Sequence, residues 1–342
     1  MPEPILSIKD LVVEFDTEDG VVHAVDGVSY DVMPGETLGV VGESGSGKSV
    51  TVMSVLGLIP TPPGRIVSGT ATFKGQDLLR APKDVLRRIR GKEIAMIFQD
   101  PMTSLNPVFT VGNQLGEAVK THDPSIDDAG AHNKSIELLE LVGVPNPGRR
   151  VDQYPHEYSG GMRQRAMIAM AIANQPAVLI ADEPTTALDV TIQAQILEVL
   201  RTAQEETHAA TILITHDLGL IAEMATRVVV MYAGHVVEAG DVETLFHAPR
   251  MPYTLGLMNS LPRLEADEKR LKPIPGQPPS LLNVPPGCPF HPRCYLRQGR
   301  ALCVEQNPPL ERVDQSDHRS ACHFKHEMEG ERSKFADEEA VS

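Results

Sequence analysis

The stretch Val40-Val41-Gly42-Glu43-Ser44-Gly45-Ser46-Gly47-Lys48-Ser49-Val50-Thr51 carries the pattern G-x-x-x-x-G-K-[ST] between two segments of different character. Before it, Glu36–Val41 is short and largely apolar, as in a buried strand. After it, Ser49–Leu58 is apolar almost all round, as in a helix covered by a sheet. A glycine-rich turn from strand to helix lets successive backbone N–H groups face inward as an anion nest, and the positive end of the helix dipole adds to it. In that frame Lys48 reaches the β- and γ-phosphates of a nucleotide, and the Ser49 hydroxyl enters a magnesium shell. The plainer reading, a surface Gly/Ser turn with a lysine, does not require a strand before it and a helix after it.

Outward from this turn, strands and helices alternate. Ile5–Phe15 and Val21–Tyr30 are rich in β-branched residues and read as strands. Residues 94–98 (Ile-Ala-Met-Ile-Phe) form another strand, and His132–Val142 and Met162–Ala173 are helical. Strand Val178–Ala181, helix Val190–Ala203 and strands Thr211–Thr215 and Val228–Met231 follow. The alternation predicts an α/β fold with a parallel sheet covered on both faces. Within it, Val178-Leu-Ile-Ala-Asp182-Glu183 delivers two carboxylates to the sheet's carboxyl edge. Asp182 suits a magnesium-directed role, and Glu183 stands where water attacks a γ-phosphate. Taken alone, such a pair would more often be a solvated turn or a helix cap.

Composition narrows the classes. The chain has 342 residues, 41% hydrophobic and 23% charged, which describes a globular protein of about two domains. A net charge of −15 argues against nonspecific nucleic-acid binding. The longest apolar run, Ala166–Ala173, falls well short of the ~18 residues of a membrane span. Met1-Pro-Glu-Pro has neither the basic head nor the apolar core of a secretory signal. Near residue 248 the character changes: ten of the 28 prolines lie between Pro273 and Pro309, so this region is expected to be largely irregular. All the cysteines fall there, as Cys288-x5-Cys294-x8-Cys303-x18-Cys322. Four soft thiolates suit an iron–sulfur cluster, or zinc. The C-x2-C pairs common in structural zinc sites are absent, but His291, His318 and His323 lie near enough in sequence for a mixed Cys/His site. Four reduced thiols without metal are the plainest alternative. With so little else to order the segment, the cysteines are its expected staple. From Glu327 onward six acidic and two basic residues leave little to bury, and this tail reads as disordered.

Tyr158-Ser159-Gly160-Gly161-Met162-Arg163-Gln164-Arg165, just ahead of the carboxylate strand, offers a hydroxyl and backbone donors at a helix mouth. With Gln99 after strand 94–98, Ala187-Leu188-Asp189 after the carboxylates and His216 after Thr211–Thr215, the series resembles the ATP-binding-cassette (ABC) ATPases. The resemblance implies a P-loop NTPase fold: a RecA-like core, an antiparallel β subdomain and a helical subdomain at about residues 100–174. It also implies ATP and Mg2+, with Ser49, Gln99 and Asp182 around the metal and residues Gly42 to Val50 around the nucleotide. Glu183 would be the general base, His216 would contact the γ-phosphate, and Gln99 would sense the metal and the membrane subunit. Two such domains would pack head to tail, so that residues Tyr158 to Met162 face a partner's ATP and Asp189 communicates across the dimer. Phe15 is the candidate for stacking on adenine, with a core position as its alternative. Met162 where Gln is commonest and Val50 in place of Thr depart from the family pattern without touching the catalytic groups.

Ile97-Phe-Gln-Asp-Pro-Met-Thr-Ser-Leu-Asn-Pro107, Pro155–Arg165, His247-Ala-Pro-Arg-Met-Pro-Tyr-Thr254 and Pro-Pro-Gly-Cys-Pro-Phe-His-Pro-Arg-Cys (285–294) are similar to the ATPase subunits of oligopeptide and dipeptide importers. That branch implies an ABC domain at 1–247, a transporter C-terminal domain at 248–326, and the tail at 327–342. It implies as partners a second ATPase subunit, often a non-identical paralogue, two transmembrane permeases and an extracytoplasmic peptide-binding protein, and no nucleic acid. The place would be the cytoplasmic face of the membrane. A subset of the branch resembles the cysteine pattern and carries a 4Fe–4S cluster there. Nickel and some other small-solute importers share the branch. An ABC ATPase acting on DNA or ribosomes would usually bring coiled-coil insertions or a second cassette, and a P-loop kinase would not need the signature or His216.

Overall fold

The computed structural model describes residues 3–100, 104–186, 189–260, 273–297 and 299–329. In chain order the strands are β1 (Leu6–Thr17), β2 (Gly20–Val32), β3 (Thr37–Val41), β4 (Gly64–Phe73), β5 (Gln76–Asp77), β6 (Ile94–Ile97), β7 (Val178–Asp182), β8 (Ala210–Thr215), β9 (Arg227–Tyr232), β10 (His235–Asp241), β11 (Glu311–Arg312) and β12 (Arg319–Ser320). The chain forms two compact units. One is built from Val32–Thr37 and Arg80–Ile214, the other from Leu6–Asp31, Leu38–Leu79 and the residues from Thr215 onward.

In the first unit β6, β7 and β8 run parallel, with Ile97 opposite Ala181 and Asp182 opposite Ile214. All five residues of β7 are buried, which is why Val178–Ala181 is an unbroken apolar run rather than an alternating one. Helices Val111–His122, Asp128–Leu141 and Gly160–Ile172 belong to the same unit. Each is N-capped: Thr110, Asp127 and Ser159 accept from Asn113, Gly130 and Met162 backbone N–H groups. The last two begin earlier than their apolar runs suggest, because the cap and not the first apolar residue sets the start. The first was not legible as a helix: Gly112 and Gly116 dilute its propensity, and the burial of Val111, Leu115 and Val119 on one face compensates.

In the second unit β3 and β9 pair in parallel, and β10 lies antiparallel to β9. A separate antiparallel sheet has the order β2-β1-β4-β5. Its β4 carries two glycines among small polar residues and escapes a propensity reading; pairing with β1, from Leu6↔Phe73 to Phe15↔Gly64, makes it a strand.

The region beyond residue 248 departs from expectation in two ways. Outside helix Pro252–Asn259 its chain is largely irregular, as the prolines require, but packing and strand pairing order it rather than the cysteines alone. Strand β12 pairs with β10 and extends the sheet of the second unit, and Met251, Tyr253, Leu255 and Phe290 are buried. The head of the acidic segment, expected to be disordered from Glu327, is ordered instead. Residues Lys325–Met328 form a 3-10 turn with Met328 buried and Glu327 paired to Arg300 at 2.7 Å. The remainder of the predicted tail, 330–342, lies outside the described residues. No helix among the described residues is long and apolar enough to cross a membrane.

Candidate functional site

The phosphate loop leaves β3 and enters helix Lys48–Val55. Gly42, Gly45 and Gly47 have φ of +155, +77 and +99°, conformations that L side chains rarely adopt. A Cβ on Gly42 would lie 2.2 Å from the Met231 carbonyl oxygen, and one on Gly47 would lie 2.4 Å from that of Ala24. These two glycines are therefore demanded by close backbone approach. No side chain caps the helix, and its first turn holds no acidic residue, so its N–H groups face an anion cradle. Lys48 is buried, its Nζ donating to the Gly42 and Glu43 carbonyls at 2.8 and 3.0 Å. Ser46 Oγ is buried in the same loop with no hydrogen-bond partner among the described residues. Ser44 and Ser49 complete the loop sequence; Val50 is half-buried, and the hydroxyl it lacks appears one residue on, where buried Thr51 donates to the Gly47 carbonyl at 2.9 Å.

In the other unit, Asp182 ends β7 and is buried. Glu183 follows with φ 46°, a left-handed backbone unusual for a side chain of this size. Its N–H donates to the Ile214 carbonyl at 2.8 Å, anchoring it to the neighbouring strand. Gln99 Nε2 and Thr186 Oγ1 both donate to Glu183 Oε2, at 3.0 and 2.8 Å. The structure thus brings Gln99, Glu183 and Thr186 together. Thr186 was not singled out from sequence, since a threonine three residues past a carboxylate carries no signal until the turn after β7 folds back.

Ser159 Oγ accepts from Met162 N–H at 3.3 Å and starts helix Gly160–Ile172, so the signature residues do sit at a helix mouth. Tyr158 is buried, its hydroxyl donating to the Arg150 carbonyl at 2.9 Å, and burial pushes its pKa up to about 12. A Cβ on Gly161 would come within 3.0 Å of Ile192, on helix Val190–Thr207. That helix is capped by Asp189, which accepts from Ile192 N–H at 3.0 Å; Ala187 and Leu188 lie outside the described residues. In the second unit His216 is exposed directly after β8, and Phe15 is half-buried on β1 with its ring against Gly64.

The four cysteines border one small cavity together with His291, His323, Phe290 and Phe324. None is in a disulfide. Burial, and then the proximity of the other thiols, pushes Cys288 up to about 11 and Cys322 up to about 12. His318 is not at this cavity. It donates from Nε2 to Glu238 Oε1 at 2.8 Å in a buried pair, which removes it from the mixed Cys/His ligand set. Among the described residues no group of three or more His, Cys, Asp or Glu converges to hold a single metal ion.

Two further contacts went unread in the sequence. Tyr253 Oη accepts from Glu43 N–H at 2.8 Å, and Arg293 grips the Glu43 carboxylate. Both residues lie more than 200 positions from Glu43, and no local pattern connects them.

The chain is similar to known proteins over most of its length. The ABC transporter family profile matches residues 25–186, and that of the oligopeptide/dipeptide transporter C-terminal region matches 237–303. The dipeptide transport ATP-binding protein DppD of Bacillus subtilis is 53% identical over 295 residues, covering 86% of this chain and 88% of that protein. DppD of Escherichia coli is 49% identical, covering 94% and 96%. The oligopeptide transport ATP-binding protein OppD of Mycobacterium bovis is 52% identical over 93% of this chain, but the chain spans only 52% of that relative's length. The ATP-binding cassette MJ0796, solved as a dimer bound to ADP and phosphate, superposes with a TM-score of 0.62 at 24% identity, covering 69% of this chain and 98% of that one. CbiO1 of Clostridium perfringens, part of an ABC transporter complex, gives 0.60 at 26% identity, covering 72% and 91%. The fold is that of the P-loop ABC ATPases.

Proposed function

Because the chain belongs to the ABC transporter ATP-binding proteins of oligopeptide and dipeptide transport, we propose that it binds and hydrolyses ATP to power peptide import through a membrane transporter. The observation that carries the reading is the phosphate loop: three positive-φ glycines, a buried lysine and an uncapped helix end make a cradle for a polyphosphate. Within it, backbone N–H groups of residues 42–49 and Lys48 bind the phosphates. Ser49, Gln99 and Asp182 offer the hard oxygen donors that Mg2+ takes, and the ion would neutralise charge on the β- and γ-phosphates. Glu183 acts as general base toward water. The two donors on Oε2 fix the orientation of its carboxylate, and Gln99, one of them, would couple the base to the membrane subunit. His216 contacts the γ-phosphate, and Phe15 stacks on adenine.

In this reading residues Tyr158 to Met162 complete the site of a second ATPase subunit, a paralogue, and Asp189 communicates across the pair. Two permeases and an extracytoplasmic peptide-binding protein complete the transporter, and the chain works at the cytoplasmic face. The domains follow: the ATPase at 1–247, with its helical part at about 100–174, and the transporter extension at 248–326.

The four-thiol cavity supports an iron–sulfur centre at Cys288, Cys294, Cys303 and Cys322. Its four cysteine donors are soft sulfur and its wall is largely apolar, which suits an iron–sulfur cluster, with zinc as the alternative. Such a centre would supply structural cross-linking or redox sensing to a segment with little regular structure. Anaerobic purification with visible absorbance and iron and zinc analysis tests it; folded, colourless, metal-free protein refutes it.

For the main reading, Glu183→Gln should still bind ATP while turnover falls by about 10²–10⁴-fold, the usual worth of a general base. Unchanged turnover refutes the assignment of the base. ATP-dependent uptake of labelled di- and tripeptides by vesicles carrying the whole transporter tests the cargo, and uptake of nickel instead would overturn it.

A further inference from the structure

Glu43 is out of character in the phosphate loop. It places a carboxylate in a segment that otherwise attracts anions, and bare it would cancel the charge of Lys48. The structure shows how that charge is handled. Arg293 Nη1 and Nη2 donate to Glu43 Oε2 and Oε1 at 2.6 and 3.0 Å, a bidentate fork. The Arg293 side chain is only 6% exposed and that of Glu43 26%, so the pair is largely out of water. In such a setting a lost partner leaves a costly lone charge.

The guanidinium is held on every nitrogen. Nε donates to the Pro275 carbonyl at 3.0 Å, Nη2 to that of Gly276 at 3.4 Å, and Nη1 to Tyr232 Oη at 3.4 Å. Tyr232, Tyr253 and Phe290 pack beside it with ring centroids 4.6–5.3 Å apart. Tyr253 also accepts the Glu43 N–H, while the Glu43 carbonyl accepts from Lys48 Nζ and Ser46 N–H. Residue 43 is therefore fixed at its N–H, its carbonyl and its carboxylate. Two of those three restraints come from residues beyond 248.

We propose that Arg293 is a positioning residue for the phosphate loop: it neutralises Glu43 and, with Tyr253, holds the loop in its ATP-binding conformation. The C-terminal extension thereby supports the nucleotide site of its own chain. The proposal rests on the nucleotide-binding reading above.

The test is equilibrium binding of a fluorescent ATP analogue with Mg2+ to the full chain, with thermal unfolding recorded for each variant. A parent that binds no nucleotide refutes the proposed function itself. Given a binding parent, Arg293→Met should weaken affinity by about tenfold, toward the low end of the usual coupling of a distant group to a ligand site. Adding Glu43→Gln to Arg293→Met should recover most of that loss, since no bare carboxylate is left behind. Affinity of Arg293→Met equal to the parent, or no recovery in the double variant, overturns the proposal. If Arg293→Met does not fold, Arg293→Lys carries the test. It keeps the charge without the fork and should bind more weakly than the parent at a nearly unchanged Tm; parental affinity overturns the proposal.

Discussion

Glu183 occupies a left-handed backbone at φ 46°, a conformation that costs on the order of 1–3 kcal/mol and persists only where its surroundings impose it. Here they do so through the Ile214 carbonyl on one side and the Gln99 and Thr186 donors on the other. If Glu183 is the base proposed above, its partners should matter as well as its carboxylate. Thr186→Val removes one of the two donors on Oε2 without changing volume much. We expect turnover to fall by about tenfold, with ATP affinity kept, when steady-state hydrolysis and nucleotide binding are measured side by side. Gly47 is the opposite case, a residue chosen for what it lacks. Gly47→Ala would press a Cβ to 2.4 Å from the Ala24 carbonyl at φ +99°. A loss of about 2 kcal/mol or more by denaturant unfolding is expected, together with loss of nucleotide binding.

At the scale of elements, caps account for where several helices begin, and two of them yield measurable consequences. Asp189 lies in the segment proposed to signal across a subunit pair, yet its carboxylate also caps helix Val190–Thr207 through Ile192. Asp189→Ala should therefore cost about 1 kcal/mol of stability even in an isolated subunit, while Asp189→Asn should cost much less. Any larger defect confined to the assembled transporter then belongs to communication between subunits. Asp241 caps helix Val242–His247 by accepting from Thr244 N–H at 2.7 Å. Burial alone would raise its pKa, but the hydrogen bonds from Thr244, with that from its own backbone N–H and the charge of His318, together outweigh burial and hold it below the usual carboxylate range. A depressed native pKa means that its contribution is present above the unfolded value near pH 4 and is lost as pH falls through the native value. The stability gap between the parent and Asp241→Ala should accordingly be full at pH 7 and shrink below about pH 4, as followed by urea unfolding across pH.

On the scale of the whole molecule, the extension is integrated into the unit that carries the phosphate loop. A chain ending at residue 247 would lose β12 from the edge of β10, leave Tyr232 without Tyr253 and Phe290, and strand Glu43 without Arg293. Calorimetry and light scattering should show a lower Tm and self-association through the bared sheet edge. The phosphate loop, the carboxylate strand and the signature helix were legible because each is a contiguous run whose chemistry and periodicity are local. So were the core strands β3, β7 and β8, whose short, largely apolar, non-alternating runs mark them as covered on both faces. Strand β4 was not legible, because its glycines and small polar residues become a strand only against β1. Nor were Thr186, Tyr253 and Arg293 as site residues, or His318 as the partner of Glu238 rather than of a metal. By itself the sequence determined the phosphate loop, since the spacing of its glycines, lysine and serine along one turn of chain dictates an anion cradle. Only the tertiary structure decided which distant side chains restrain those groups, because a buried charge takes whatever partner folding brings within about 3 Å, however far away in the chain.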